Sequence, residues 1–518
     1  MRFVSKRTER DTVAEKSIKR KVVFCKVYPY FQDEFKAHSE MFMTYAFDYL
    51  IAFAETRESI RDNYEFSILP VEKNILDEDL IYEVSDENPY MVGFSCSLLN
   101  TERCMNIARQ IKLGMPEVRI VAGGAETFAA KRFLEKYPFV DFAVMGEGEA
   151  AFAELLEVLY EEGDTRGIEG LAFRDGEEIV LTGKRNPIEK LDDIPQVITS
   201  ERVASLSGIV PYETGRGCSN GCAYCLWSPY PKRYFSMDRI KRELDVLMSN
   251  ERIGKIWFIN SEFDDDRNRS KEILRYVRDR RKHDIRLAAY LNFDSIDEEM
   301  LELVGELFFW LPIGLQTTDT DTLKSLGRGW FDLAKFEKTF DLIMENIPGS
   351  IINIDLMYGL PGENYESFIK TLLWCIRKRT PEINFFRLAV YPQTVLERKS
   401  NKYGFVYDKE PPYLVYASDT FSYDDMLKIE QAIINYLVLM SLYGPEGLER
   451  IHDNCDMKEL LGRLQECSAN YAGNFEHTME SNIKNINNNE LRKPVMEFIR
   501  RRMKDEKAAG ELERFIRT

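Results

Sequence analysis

Short apolar runs rich in β-branched and aromatic residues alternate twice with helical stretches along this chain, and that alternation admits little besides parallel βα units. In the first series the runs fall at residues 21–27, 64–69, 90–94, 119–122 and 142–145, enough for one doubly wound domain over residues 21–165. Its last helix, 149–160, sets Phe152, Leu155, Leu156 and Leu159 on one stripe at helical spacing, the pattern of core packing. Residues 166–205 read as a connector with a hairpin, in which Leu171-Ala-Phe-Arg174 and Glu178-Ile-Val-Leu181 flank an Asp175-Gly176 turn. The second series places strands at 210–214, 255–260, 286–292, 309–316, 351–357 and 383–390, and βα units repeated across residues 206–400 predict a partial (β/α)6 barrel. Ser236 is the expected N-cap of a helix whose inner stripe is Ile240, Leu244, Leu247 and Met248. Residues 401–518 turn helical, clearest at 424–441 and 493–504, so the fold class is α/β with a helical C-terminal domain.

Of 518 residues, 44% are apolar and 30% charged, which supplies sizeable cores and excludes a disordered chain. Asp and Glu outnumber Lys and Arg by 87 to 70, and a net charge of −17 weighs against a nucleic-acid partner, whose phosphates such a surface repels. The basic clusters visible in sequence are small, Lys19-Arg20-Lys21 and Arg500-Arg501-Arg502. The N-terminus carries charges where a signal peptide has its apolar segment, and no apolar run approaches the ~18 residues of a membrane span. A cytoplasmic protein with no membrane partner is the expectation, and in that reducing compartment its nine cysteines stay free to bind metal.

Three of those cysteines stand together directly after the first strand of the second series, in Glu213-Thr-Gly-Arg-Gly-Cys218-Ser-Asn-Gly-Cys222-Ala-Tyr-Cys225. A glycine-rich loop lets three thiolates turn toward one cluster. A structural zinc site wants four protein ligands, and no further Cys or His lies within thirty residues on either side. Three ligands leave one coordination position open, as a [4Fe–4S] cluster that binds a chelating small molecule requires. Zinc completed from a distance, or three unligated core thiols, are the alternatives.

The CxxxCxΦC spacing, with Tyr224 as the aromatic position, resembles the signature of the radical S-adenosylmethionine (SAM) superfamily. The preceding Val210-Pro-Tyr-Glu-Thr-Gly-Arg-Gly-Cys218 is similar to the lead-in of that superfamily's cobalamin-domain subgroup. The resemblance implies that Cys218, Cys222 and Cys225 hold a [4Fe–4S] cluster, that SAM chelates its unique iron, and that SAM cleavage gives a 5′-deoxyadenosyl radical. Later segments match in order. Asn260-Ser261-Glu262 stands where the family positions groups for the SAM amine, with Asn-Ser-Glu in place of the family's Gly-Gly-Glu. Ile313-Gly314-Leu315-Gln316-Thr317 resembles the segment that faces the ribose, and Asp355-Leu-Met-Tyr-Gly359-Leu-Pro361-Gly362-Glu363 the backbone segment beside the adenine. All sit at the carboxyl ends of predicted strands, where barrel sites are built.

The first domain is similar to a flavodoxin-like, cobalamin-binding fold. Gly93-Phe94-Ser95 ends one strand and Ala122-Gly123-Gly124-Ala125-Glu126 the next, while Tyr137-Pro-Phe-Val-Asp-Phe142 leads to Gly146-Glu147-Gly148-Glu149 as in cobalamin-domain radical SAM proteins. Ser95, Gly123, Gly124, Gly146 and Glu147 are the implied cobalamin contacts, since paired glycines let backbone approach a bulky phosphate-bearing tail. A DxHxxG motif is absent and His38 lies in no such context, so cobalamin is expected without a histidine ligand to cobalt. Cys25, Cys96 and Cys104 read as small core thiols, with a second cluster on them, as in radical methylthiotransferases, the rival.

These resemblances imply an enzyme using a [4Fe–4S] cluster, SAM and cobalamin, whose favoured outcome is methyl transfer to an unactivated carbon of a small molecule or peptide. Radical cyclisation, cross-linking or oxidation is the alternative, and a non-catalytic iron–sulfur protein the third. An external electron donor such as flavodoxin or ferredoxin is the implied partner. Arg387 on the sixth strand is expected to meet a substrate or SAM carboxylate, or else to form a structural ion pair, and Tyr358 and Tyr391 to line the pocket. In the tail, Cys455 and Cys467 read as core or surface thiols.

Overall fold

The computed structural model describes residues 19–27, 36–70, 76–227, 230–293, 296–347, 351–464 and 495–503, the side chains of 36–44 and 70 excepted. The first sheet has seven strands, β1 (Arg20–Lys26), β2 (Tyr64–Pro70), β3 (Met91–Ser95), β4 (Arg119–Gly123), β5 (Phe142–Val144), β6 (Leu171–Asp175) and β7 (Glu178–Leu181), in the order β2-β1-β3-β4-β5-β6-β7. β1 to β5 are parallel. Their apolar runs are continuous because both faces are covered. Val22 and Phe24 pack with Phe47, Phe152, Leu155 and Leu156 from the helices Lys36–Ala54 and Glu149–Tyr160, whereas Val23 and Cys25 pack with Cys104 and Ile107 from the helix Thr101–Gly114. Each such side chain contributes about 1.5–3 kcal/mol by leaving water. The expected hairpin forms and also extends the sheet: β6 pairs antiparallel with β5 through Phe142↔Phe173, covering backbone groups that an edge strand would leave open.

The second sheet is built from β8 (Gly208–Tyr212), β11 (Ile253–Phe258), β12 (Arg286–Ala289), β13 (Phe308–Gln316), β14 (Ile352–Tyr358) and β15 (Glu382–Arg387), all parallel and in that spatial order. A short antiparallel pair, β9 (Gly215–Arg216) with β10 (Arg233–Tyr234), interrupts the series between β8 and β11. Six parallel strands flanked by helices make the partial barrel, with β8 and β15 as its two edges. Ser236 caps the helix Met237–Met248 by accepting from the Arg239 N–H (3.3 Å). Leu311, Ile313 and Leu315 of β13 face the large outer core, while Trp310 faces inward with Trp257, Ala288 and Tyr290.

The tail departs from the sequence reading in two respects. A hairpin of β16 (Val406–Tyr407) and β17 (Val415–Ala417) precedes the first helix, and that helix runs Tyr423–Asn454, past residue 441 and through a kink at Gly444–Pro445. Leu439, Leu460, Val495 and Ile499 join the same core as Phe368 and Leu372, and Phe385 of β15 meets Tyr436 edge-on (ring centroids 5.6 Å apart). The described part of the tail therefore adds a layer to the barrel, because its helices bury their apolar stripes on barrel elements. Helix is seen over residues 495–500 of the expected 493–504. Cys455 is buried, and Cys467 lies outside the described residues. Among the described residues no helix is long and apolar enough to cross a membrane.

Candidate active site

The three-cysteine loop leaves the carboxyl end of β8 and is tied down by its own backbone. The Cys225 N–H donates to the Cys222 carbonyl (3.1 Å), the Cys218 N–H to Tyr230 (3.3 Å), and Ala223 is held from both sides, donating to Leu326 (2.8 Å) and accepting from Leu396 (2.8 Å). Gly217 has φ +85° and a Cβ there would stand 2.2 Å from the Pro231 carbonyl, so only glycine lets the two arms of the loop touch. Cys222 is buried and Cys218 and Cys225 half-buried, all with free thiols. Burial raises the Cys218 thiol, which accepts from the Asn220 N–H (3.4 Å). Among the described residues no three His, Cys, Asp or Glu groups converge as ligands of one ion do. Three soft donors on a constrained loop fit a cluster, in which each thiolate takes a different iron.

A residue that the sequence reading passed over joins this loop. Arg328 is buried; its guanidinium donates to the Gly314 carbonyl (2.8 Å) and the Tyr224 hydroxyl (3.3 Å), lies 4.0 Å from Cys222 Sγ, and stacks near Trp330 and Phe331. It is a fixed positive charge beside one of the three loop cysteines, reached from a segment 106 residues downstream, so nothing local in sequence marked it.

The SAM-implied residues divide. Glu262 is buried at the loop's edge, accepting from Asn220 Nδ2 (2.8 Å) while its carbonyl takes Lys232 Nζ (2.8 Å), and Ser261 is half-buried beside it. Asn260 is committed elsewhere: its Oδ1 accepts from the Thr214 N–H (3.2 Å) and hydroxyl (3.1 Å), locking β8 to the end of β11. Gln316 ends β13 at φ +70°, a strained setting for a non-glycine residue, and its side chain lies over Gly314. Thr317 is fully buried and turned outward, bonded to Glu363 Oε1 (2.9 Å) and the Thr371 hydroxyl (3.2 Å), so it is a structural link and not a ligand contact. Gly359 backs onto Met426 of the tail helix, and the Pro361 carbonyl accepts from Ser325 (3.4 Å). On the barrel's inner face Asp355 accepts from Asn384 (3.0 Å) and the Tyr290 hydroxyl (3.3 Å), and burial pushes its carboxyl up to about 6.

Burial also pushes the Glu363 carboxyl up to about 8, and its Oε2 has no partner. The folded chain therefore keeps a proton that the unfolded chain releases, so stability is greatest below the ordinary carboxyl range and falls as pH rises to about 8. Glu363→Gln mimics the neutral acid. Between pH 6 and 9 the wild type should lose on the order of 2 kcal/mol more than this variant, read from melting temperatures at the two pH values. Parallel curves would mean that Glu363 is ionised throughout.

A cavity of about 390 Å³ separates the two sheets' carboxyl ends. Ser95, Gly123, Gly124, Gly146 and Glu147, the five implied cobalamin contacts, all line it, and Gly217, Leu226, Trp227 and Tyr230 of the cysteine loop line its other side. A Cβ on Gly123 would meet nothing within 4 Å, whereas Gly124, at φ +98°, would drive one to 2.5 Å from the Cys96 carbonyl. The first glycine opens the cradle and the second turns the chain beneath it. Glu147 is also an inter-domain tie, accepting from Arg233 Nη1 (3.0 Å), and Arg216 pairs with Glu149 (2.7 Å) and Glu213 (3.0 Å). His38 lies outside the residues with described side chains. Cys25, Cys96 and Cys104 are buried in an apolar core, where burial raises the Cys25 and Cys104 thiols.

Arg387 is not in the site. It donates to Glu430 (2.9 Å) and the Val415 carbonyl (2.8 Å) and lies over the Tyr416 ring, because residues facing outward from β15 meet the tail helix. Tyr358 shares that outward contact, donating to Glu430 (3.4 Å). Tyr391 stands closer: burial raises its hydroxyl, with Glu126 and Cys225 as the neighbouring negative groups, and its ring is 6.1 Å from Tyr413. Tyr413, in the hairpin between β16 and β17, in turn donates to the buried Glu126 (2.6 Å), tying the loop after β4 to that hairpin.

Residues 212–375 match the Radical SAM superfamily and residues 51–156 the B12 binding domain. The chain is 26% identical over 394 residues to the cobalamin-dependent radical SAM methyltransferase TokK of Streptomyces tokunonensis, covering 68% of this chain and 55% of that protein. It is 27% identical over 312 residues to a 2-(S-pantetheinyl)-carbapenam-3-carboxylate methyltransferase of Streptantibioticus cattleyicolor, covering 54% and 44%. The chain thus spans about half the length of these curated relatives. Its fold matches that of the cobalamin-dependent SAM radical enzyme OxsB, solved with aqua-cobalamin and SAM bound, with a TM-score of 0.64 at 13% identity over 96% of this chain and 78% of that one.

Proposed function

The chain belongs to the radical SAM superfamily, with a B12-binding domain ahead of its radical SAM domain, and we propose from that premise that it methylates an unactivated carbon of a small molecule or peptide. One observation carries the reading: a single cavity is lined on one side by the glycine-rich strand ends of the first domain and on the other by the cysteine loop of the second. Held by the cysteine loop, a [4Fe–4S] cluster would supply the electron that cleaves SAM to a 5′-deoxyadenosyl radical, and cobalamin in the cavity would supply the methyl group.

The chain's own residues provide the setting. Cys218, Cys222 and Cys225 are the thiolate ligands, and Arg328 offsets negative charge at Cys222. Glu262, anchored by Asn220 beyond the end of β11, and Gln316, strained at the end of β13, orient SAM. The Glu147–Arg233 and Glu149–Arg216 pairs and the Tyr413–Glu126 bond fix the spacing of the two domains across the cavity. Leu226, Trp227 and Tyr230 give the loop's side of the cavity a largely apolar wall. The enzyme works in the reducing cytoplasm and draws its electron from an external low-potential carrier.

Anaerobic reconstitution tests this directly. About four irons per chain and one corrinoid from hydroxocobalamin after gel filtration are expected. SAM with a reductant should yield 5′-deoxyadenosine, and S-adenosylhomocysteine as well when substrate is turned over. The first product without the second, in the presence of converted substrate, would replace methyl transfer by radical cyclisation or cross-linking.

A further inference from the structure

We propose that Lys324, Trp330, Arg398, Lys399 and Lys402 form the docking surface for an acidic one-electron carrier of the flavodoxin type. The proposal rests on the radical SAM reading, since it is the cluster held by Cys218, Cys222 and Cys225 that needs the electron.

Two stretches far apart in sequence meet at Ala223, between the second and third cysteines. Leu326 accepts from its N–H and Leu396 donates to its carbonyl, each at 2.8 Å. The exposed cations flank those two contacts: Lys324 on the first stretch, Arg398, Lys399 and Lys402 on the second. Lys324 pairs with Asp321 at 3.0 Å, both well exposed; among the described residues Arg398, Lys399 and Lys402 have no carboxylate partner. Trp330 is 38% exposed, and beneath it runs Arg328, whose guanidinium lies 4.0 Å from Cys222 Sγ. Gly221 of the loop is itself exposed there.

In a chain of net charge −17 an acidic partner is repelled by most of the surface, and exposed cations without carboxylate partners such as Arg398, Lys399 and Lys402 offer it a place to dock. Here they stand on the two segments that hold Ala223 of the cysteine loop, and Trp330, over Arg328, offers the apolar surface such encounters use. Transient electron-transfer contacts are small, so a patch of this size suffices. The step is one electron: flavodoxin hydroquinone is oxidised to the semiquinone and the cluster is reduced by one unit, with no bond made or broken.

The test compares the reconstituted wild type with the triple variant Arg398→Glu, Lys399→Glu, Lys402→Glu. Calorimetric titration with oxidised flavodoxin should show the variant binding about tenfold more weakly at low salt, and the wild type losing affinity as the Debye length shrinks at ~0.2 M salt. With flavodoxin hydroquinone as the reductant, 5′-deoxyadenosine formation should fall about tenfold in the variant, while with dithionite it stays within about twofold of wild type. The neutral pair Lys399→Gln, Lys402→Gln should show the same selective loss in smaller measure. Equal flavodoxin affinity in wild type and either variant overturns the proposal, as does a patch that binds a nucleic-acid duplex while flavodoxin binding is unchanged. No SAM cleavage by wild type with dithionite would instead remove the radical SAM reading, and the titration would still judge the surface.

Discussion

Cys222→Ala is expected to abolish iron–sulfur absorbance and SAM cleavage together while leaving the chain folded. Two thiolates cannot hold a cluster that three hold with one iron left open, and among the described residues the other cysteines are all buried in the core. The fold should survive because the loop is fixed by backbone bonds at Cys218, Ala223 and Cys225 that need no Sγ, so the unreconstituted variant should lose only about 1 kcal/mol, the cost of one small buried group. Iron analysis, absorbance and 5′-deoxyadenosine formation are the measurements. If iron content and SAM cleavage both persist, the three cysteines are not the cluster ligands and the central reading fails. Cys375→Ala is the control: its thiol is buried behind the barrel, and its loss should leave iron content unchanged.

What the sequence displayed depended on whether the deciding physics was local. The two alternating series showed where the strands lie because each apolar run is covered on both faces, and the cysteines and glycines stood out because spacing and backbone freedom are properties of a few adjacent residues. Ser236 was legible as a cap for the same reason. For Arg387 the sequence left a ligand carboxylate and a structural ion pair open; the ion pair forms, but its partner Glu430 was not legible, being 43 residues on, on a helix whose position no local pattern gives. Thr317 matched a motif position yet faces outward, since a register shift between Gly314 and Gln316 rotates the end of β13. Arg328, the Glu126–Tyr413 tie and the cations around Ala223 are products of tertiary contact alone. The acidic balance of the whole chain concealed that last patch, whose members come from segments some seventy residues apart.

The glycine pair after β4 separates cavity from scaffold. Gly123→Leu should leave thermal stability near wild type, because a Cβ there meets nothing within 4 Å, and its longer side chain then fills the cradle. Hydroxocobalamin retained after gel filtration should fall at least about tenfold, a ~1.4 kcal/mol loss of binding that displaced contacts across the cavity readily exceed. Gly124→Ala should behave oppositely. At φ +98° an alanine costs about 1–2 kcal/mol in backbone strain, and its Cβ would sit 2.5 Å from the Cys96 carbonyl, backbone that cannot rotate aside as a side chain would. The loop from Gly123 to Glu126 must then shift, so melting temperature drops and corrinoid binding weakens as a consequence. Iron content should be unaffected in both, since the cysteine loop hangs from the other sheet. Should Gly123→Leu take up hydroxocobalamin with wild-type stoichiometry, the corrinoid binds elsewhere and the cavity loses its assignment; should it unfold while Gly124→Ala does not, the roles given to the two glycines are reversed.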